Sequence, residues 1–513
     1  MTSDGAPPAP AASPLRSIAD EYWEARMETS PLLASFFGDH RFDDRADDVS
    51  AEADQAVRVR WADLRERARA LNDDALDDTD RVSRALLVGE LDDAIRAIDL
   101  RLIELSSDQM QGVHADLLIE GYLASSIESD PFVNVAGPDE WDGEPGWRAE
   151  LADAVRSTLR PAFRRHADVF ARELEPAARP DDRAGLVHLP DGEEIYQALI
   201  QANIGLPLSA DELHEIGLAE ATGSLRAEFA EVGERAFGTA DVSVIFDRLR
   251  NDPGLRYRDA DELLAHASRC LDKATAAMTG WFGLLPQAAC VLTPVPDYLA
   301  ADVPPAYYTP PVPDGSRPGE YHVNLHEPTE RGRYSTASIA YHEAIPGHHL
   351  QLAIASERTD LPAFRRLGWG QTAYVEGWAL YTERLADEMG LYDDDLDRLG
   401  MLASDAWRAC RLVVDTGLHA RGWTRQRAVD FMVEHMPVDL DTITVEVDRY
   451  IGMPGQALAY KVGQREILAL RAQAREVLGE RFDIAGFHDA VLGAATVSLP
   501  VLRTRVEDWI SAH

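Results

Sequence analysis

The sequence predicts a mainly α-helical protein with a small β element, and three observations predict it. Apolar residues recur three and four apart through long stretches rich in Ala, Leu, Arg and Glu, which is the helical period. One region, Ala289 to Pro328, breaks that texture with Pro, Val and Tyr. The chain has 513 residues, a length that suits two helical lobes sharing a central cleft.

Taken in order, Met1 to Pro14 is Ala/Pro-rich, without a basic start or an apolar run. It reads as a disordered tail and not as a secretion signal. Residues 15–285 read as helical. Ser209-Ala210-Asp211-Glu212 has the pattern of a capping box and opens a helical stretch to about Phe237. Asp259 precedes another helical run through Trp281. Next come Val291-Leu292-Thr293-Pro294-Val295-Pro296, Tyr307-Tyr308 and Tyr321-His322-Val323-Asn324. Short strands joined by Pro/Gly turns fit these segments, with Pro pointing to sheet edges. An irregular loop packed over the helices fits them as well. As strands, they offer an edge to which an extended peptide can add, with Tyr308 a candidate substrate contact. A soft boundary falls near residue 285, and residues 286–513 carry the polar clusters and a helical C-terminal third. The two regions also fit one continuous unit.

The net charge is −39, with a sequence pI near 4.7. Such a surface repels phosphate backbones and anionic headgroups, which excludes nucleic-acid and peripheral-membrane roles. The only lysines are Lys273 and Lys461; the other basic side chains are arginines. Three distant cysteines, Cys270, Cys290 and Cys410, lack metal-type spacing and read as inert buried thiols of a reducing compartment. No apolar run reaches membrane-spanning length. A cytoplasmic location is the expectation; the oligomeric state is not legible.

The most informative segment is Tyr341-His342-Glu343-Ala344-Ile345-Pro346-Gly347-His348-His349-Leu350-Gln351. Imidazoles to hold a metal, beside a carboxylate to take a proton from water, are the groups that metal-assisted hydrolysis needs. In the familiar zinc-hydrolase pattern the two His lie four apart on one helix face. Here His342 and His348 are six apart, and His342 and His349 seven. Seven residues on a straight helix span about 10 Å, too far for one ion. Pro346 breaks the helix and Gly347 permits unusual dihedrals, so a bulge can absorb two residues and bring His348 into place. His348 is preferred to His349 as ligand, without excluding the latter.

A third ligand is needed. Tyr374-Val375-Glu376-Gly377-Trp378-Ala379-Leu380-Tyr381-Thr382-Glu383 places Glu376 on an apolar helix, where a carboxylate is costly unless paired or metal-bound. Glu383, two turns on, reads as a surface or supporting acid. Further along, Asp415, His419, Arg449 and Tyr460 are polar groups in apolar settings. Spacing alone makes His419, Arg449 and Tyr460 structural sooner than catalytic. Their chemistry allows more: a phenol or imidazole at the metal stabilises an oxyanion, Asp415 can orient a ligand histidine, and Arg449 can clamp a substrate carboxylate.

The His342-Glu343-x-x-Pro346-Gly347-His348 motif, the Glu376-Gly377-Trp378-Ala379-Leu380-Tyr381 segment and Pro454-Gly455-Gln456-Ala457 through Tyr460 together resemble the DUF885 family. Phe36-Phe37-Gly38-Asp39-His40 also fits the family's opening pattern. The resemblance covers nearly the whole chain. It implies a two-lobed, helical, metallopeptidase-like fold with a deep channel, like that of the gluzincin relatives. It implies zinc on His342, His348 and Glu376, Glu343 as general base, and functional roles for Asp415, His419 and Tyr460. The expected function is zinc-dependent hydrolysis of short peptides. A non-peptide amide as substrate, or a non-catalytic peptide-binding protein, are the alternatives.

Overall fold

The computed structural model describes residues 13–105, 149–150 and 153–513, apart from 298, 302, 313, 314, 316 and 369. Most of the proposed tail therefore lies outside the described residues. The first helix, α1 (Pro14–Thr29), starts with Pro14 in its first turn and the Ser13 hydroxyl accepting from the Arg16 N–H. Proline suits that position because the first helical N–H groups have no intrahelical partner.

Two further helices of the N-terminal region, α2 (Ala51–Arg69) and α3 (Asp78–Asp99), pack on each other and on α1. Next come α4 (Gly192–Ile204), α5 (Ala210–Ala219), α6 (Leu225–Phe237) and α7 (Ala260–Ala277). Ser209 and Glu212 form the reciprocal capping box at the start of α5, and a π-helical turn, Glu220–Ser224, carries the chain on into α6. The three strands β1 (Cys290–Pro294), β2 (Ala306–Thr309) and β3 (Gly319–Val323) form one sheet in the order β1-β3-β2. β1 runs parallel to β3 and β2 antiparallel to it. The Pro-rich region is thus a sheet and not an irregular loop, and Pro294 sits on an edge strand, where a missing N–H breaks no ladder bond.

The C-terminal part is helical again: α8 (Thr336–Glu343), α9 (His348–Glu357), α10 (Thr372–Glu388), α11 (Asp395–His419), α12 (Leu440–Gly452), α13 (Ala459–Leu478) and α14 (Leu499–Ala512). α11 is 25 residues long and almost wholly buried from Leu399 onward, so it runs through the middle of the molecule. α5 and α6 pack on it from one side and α8 and α13 from others. One apolar cluster extends from Leu15 to Ile510. The change of texture near residue 285 is therefore not a break between cores.

The closest helix contact that bears on the site is between α10 and α13. A Cβ on Gly463 would lie 1.8 Å from the Ala373 carbonyl oxygen, and one on Gly377 would lie 2.4 Å from the Gly463 Cα. Only glycine lets these two backbones touch.

A buried His-His-Glu cluster

The helix break does more than a bulge would. α8 ends at Glu343, and α9 starts at His348 as a separate helix. Gly347 is the residue before α9, and a Cβ there would lie 1.9 Å from the His342 carbonyl oxygen. The fold-back is thus tight enough to need glycine. It is secured by the His349 N–H donating to the Ala344 carbonyl at 3.0 Å. The Trp378 indole N–H, fully buried on α10, donates to the Pro346 carbonyl at 3.0 Å. α10 therefore braces the break and also supplies Glu376.

The structure brings His342, His348 and Glu376 together. One donor atom from each lies within 4.8 Å of the other two. Glu376 Oε2 is 3.5 Å from His342 Nε2 and 3.5 Å from His348 Nε2, and the two imidazole rings are nearly perpendicular at 4.9 Å. Two donors at about 2.0–2.1 Å from a tetrahedral zinc lie roughly 3.4 Å apart, so the spacing suits that ion. Glu376 Oε2 is buried without a hydrogen-bond partner, as is His348 Nδ1. A buried carboxylate oxygen left unsatisfied is expensive; a cation between the three donors would relieve it.

Glu383 is a buried acid and not a surface one. Its Oε1 lies 2.8 Å from His342 Nδ1, and its other oxygen accepts from the Ser338 hydroxyl. The His342 Nδ1–H donates to it, so that with a cation bound Nε2 would present its lone pair to the ion, the arrangement that orients a ligand histidine. Without a cation, burial opposes a charge on His342, but the carboxylates of Glu376, 3.5 Å from Nε2, and of Glu383, which accepts from Nδ1–H, outweigh it and hold the imidazole pKa up to about 9. Burial works against the Glu376 charge too, but the two imidazoles hold its carboxyl far below the usual range. Burial pushes the Glu343 carboxyl up, against the pull of His342 and His348.

Other sequence candidates are held elsewhere. His349 donates from Nε2 to the Ala288 carbonyl at 3.1 Å and accepts at Nδ1 from the Tyr308 hydroxyl at 2.9 Å. Both ring nitrogens are taken, so geometry favours His348 of the two. Tyr308, expected at a substrate-binding edge, has its hydroxyl buried in this bond between sheet and helix. His419, expected at the catalytic centre, accepts from the Leu186 N–H at 3.2 Å and donates to the Tyr450 carbonyl at 2.9 Å. It joins three segments of backbone. Asp415 accepts from the Tyr196 hydroxyl at 2.6 Å and from the Gly455 N–H at 3.1 Å, so orienting a ligand histidine falls to Glu383 and not to it. Arg449 spends Nε and Nη2 on Glu446 and Nη1 on Gln456. Tyr460 does border the cluster, its ring stacked 6.3 Å from that of His342.

Two neighbours were not visible as site residues in the sequence. Arg408 and Arg411, on α11, hold their guanidinium carbons 5.6 Å and 4.5 Å from the Tyr460 ring centre. On a long amphipathic helix, arginines carry the signature of a solvated face, so no local pattern marks them.

A mainly helical protein with a small mixed sheet, holding two histidines and a glutamate around one point, with a second glutamate next in sequence to the first histidine, is the class that fold and site define. The chain belongs to the DUF885 family, described as bacterial protein of unknown function, whose pattern matches residues 114–506. A crystal structure of a putative lipoprotein from Colwellia psychrerythraea is similar, with a TM-score of 0.85 and 26% identity over 97% of this chain and 99% of that one. A putative lipoprotein of unknown function from Shewanella oneidensis shares the fold, with a TM-score of 0.72 and 16% identity over 96% of this chain and 99% of that one. No curated protein matches the chain. Among the described residues, no helix is long and apolar enough to cross a membrane.

Proposed function

We propose that the protein is a zinc-dependent hydrolase of amide bonds, with short peptides as substrates, and that its helices form two lobes around a cleft leading to the cluster. The observation that carries this reading is the spacing of His342, His348 and Glu376 around the unsatisfied Glu376 Oε2, with Glu343 next to the first ligand.

His342, His348 and Glu376 would hold the ion. When bound, zinc supplies electrophilic activation of a water molecule and of the substrate carbonyl. Glu343, at the end of α8, takes the proton from the attacking water and returns it to the leaving nitrogen. Its buried setting, which raises its proton affinity, suits both halves of that transfer. Glu383 keeps His342 in the tautomer that presents Nε2. Tyr460, whose ring stacks beside His342, would steady negative charge developing on the carbonyl oxygen.

The test is metal content by plasma mass spectrometry on tag-free protein, with turnover of a mixture of short peptides. Wild type should carry one zinc. His348→Ala and Glu376→Ala should lose it, while His349→Ala keeps it. Glu343→Gln should keep the metal and lose turnover by about 10³-fold or more. A metal-free wild type after zinc is supplied, or near-normal turnover in Glu343→Gln, overturns the reading.

A further inference from the structure

Beside the His-His-Glu cluster lie two arginines, each with a buried nitrogen that no internal acceptor completes. Arg411 is buried; its Nε donates to the Tyr450 hydroxyl and its Nη2 to Glu446, each at 2.9 Å, but its Nη1 is buried without an acceptor. Arg408 donates from Nη1 to Ser404, and its Nε is likewise buried without an acceptor. Both guanidiniums lie over the ring of Tyr460, and that ring stacks on the ligand histidine His342.

The local charge is unusual for this chain. Glu446 is shared by Arg411, Arg449 and the Tyr450 hydroxyl, so one carboxylate serves two arginines. By themselves Glu343, Glu376, Glu383 and Glu446 outnumber the three guanidiniums of Arg408, Arg411 and Arg449 by one; a divalent cation on the three ligands would turn the balance to one positive charge over. An uncompensated guanidinium in a buried setting is costly unless something anionic completes it. The rest of the protein carries a large negative excess, so a positive balance at this point would run against the general trend.

We infer that Arg408 and Arg411 receive the free terminal carboxylate of the substrate, so that the enzyme removes residues from the C-terminus of short peptides. The inference rests on the hydrolase reading and names its substrate class. Arg411 Nη1 and Arg408 Nε are the two donors for the carboxylate, a charge-assisted pair. Arg449, the arginine that residue type alone suggests for this task, already has an acceptor at each of its nitrogens.

The experiment uses one mixture of short peptides in paired forms, free acids and C-terminal amides, with products read by mass spectrometry. Metal-loaded wild type should trim the free acids one residue at a time and cut the amides at least tenfold more slowly. Arg408→Met, and separately Arg411→Lys in case loss of a buried guanidinium unfolds the protein, should reduce that preference to within about threefold. The same mixture is then equilibrated by dialysis against the metal-loaded Glu343→Gln variant, which reads binding without turnover. Free acids should be retained over amides there, and Arg408→Met in that background should abolish the difference. Equal cleavage and equal binding of both forms, amidated acidic peptides included, overturns the carboxylate site while leaving the hydrolase standing. Selective binding without any cleavage by wild type keeps the site and removes the hydrolase.

Discussion

Glu383 shows what a single residue contributes and how it hides. Its position two turns after Glu376 gave no reason to bury it, yet it holds the Nδ1–H of His342 and is itself held by Ser338. Glu383→Ala should weaken metal affinity by about 10- to 100-fold with little change in fold, measured by competition with a chelator. At this scale the sequence was most readable where one residue type does one job: His342, His348 and Glu376 sit around one point, as their spacing and chemistry suggested. It was least readable where a residue's partners lie far away in the chain. His419 meets Leu186 and Tyr450, and Tyr308 meets His349. Nothing within a few residues of each announces that its polar atoms are already satisfied. Arg408 and Arg411 are the converse, ordinary in sequence and unsatisfied in the fold.

At the scale of elements, the break between α8 and α9 and the crossing of α10 and α13 set the geometry. A proline and a glycine were enough to predict that the helix is interrupted; whether it bulges or separates depends on Trp378, 32 residues away, capping the Pro346 carbonyl. The crossing was not legible, since Gly377 and Gly463 look like two ordinary helix glycines until their backbones meet. Gly463→Ala should force α13 away from α10, shifting Tyr460 relative to Glu376. We expect a stability loss of about 2–4 kcal/mol, from the overpacking expected at a backbone contact. Denaturant unfolding measures it, and Ser at the same position should do no better. A variant as stable as wild type would mean that the contact is looser than described.

For the whole molecule, the buried Asp415 links folding to pH. Burial pushes its carboxyl up to about 7, against hydrogen bonds from Tyr196 and Gly455. An acid with a raised folded value contributes stability that is fully present below its unfolded value, near 4, and is lost as pH rises through about 7. Between those limits the folded chain holds a proton that the unfolded chain has released. Asp415→Asn should therefore flatten the decline in melting temperature from pH 5 to pH 7.5, while the wild type declines. Parallel profiles for the two proteins would contradict the assignment. At this scale the fold class was legible, because helical periodicity and one Pro-rich interruption are properties of long windows. That α11 runs through the centre, joining residues before and after 285 into one core, depends on packing between distant helices.

The donors of the His-His-Glu cluster come from α8, α9 and α10 and meet only after the chain has turned twice and Trp378 has docked. An unfolded chain presents no such set of ligands, so a cation bound there distinguishes the folded state almost completely. Its binding free energy would then appear in full as resistance to unfolding, about 4 kcal/mol at a free concentration a thousand times its dissociation constant. Chelation would make the melting temperature fall with the logarithm of the free metal, a thermodynamic signature that requires no knowledge of the substrate.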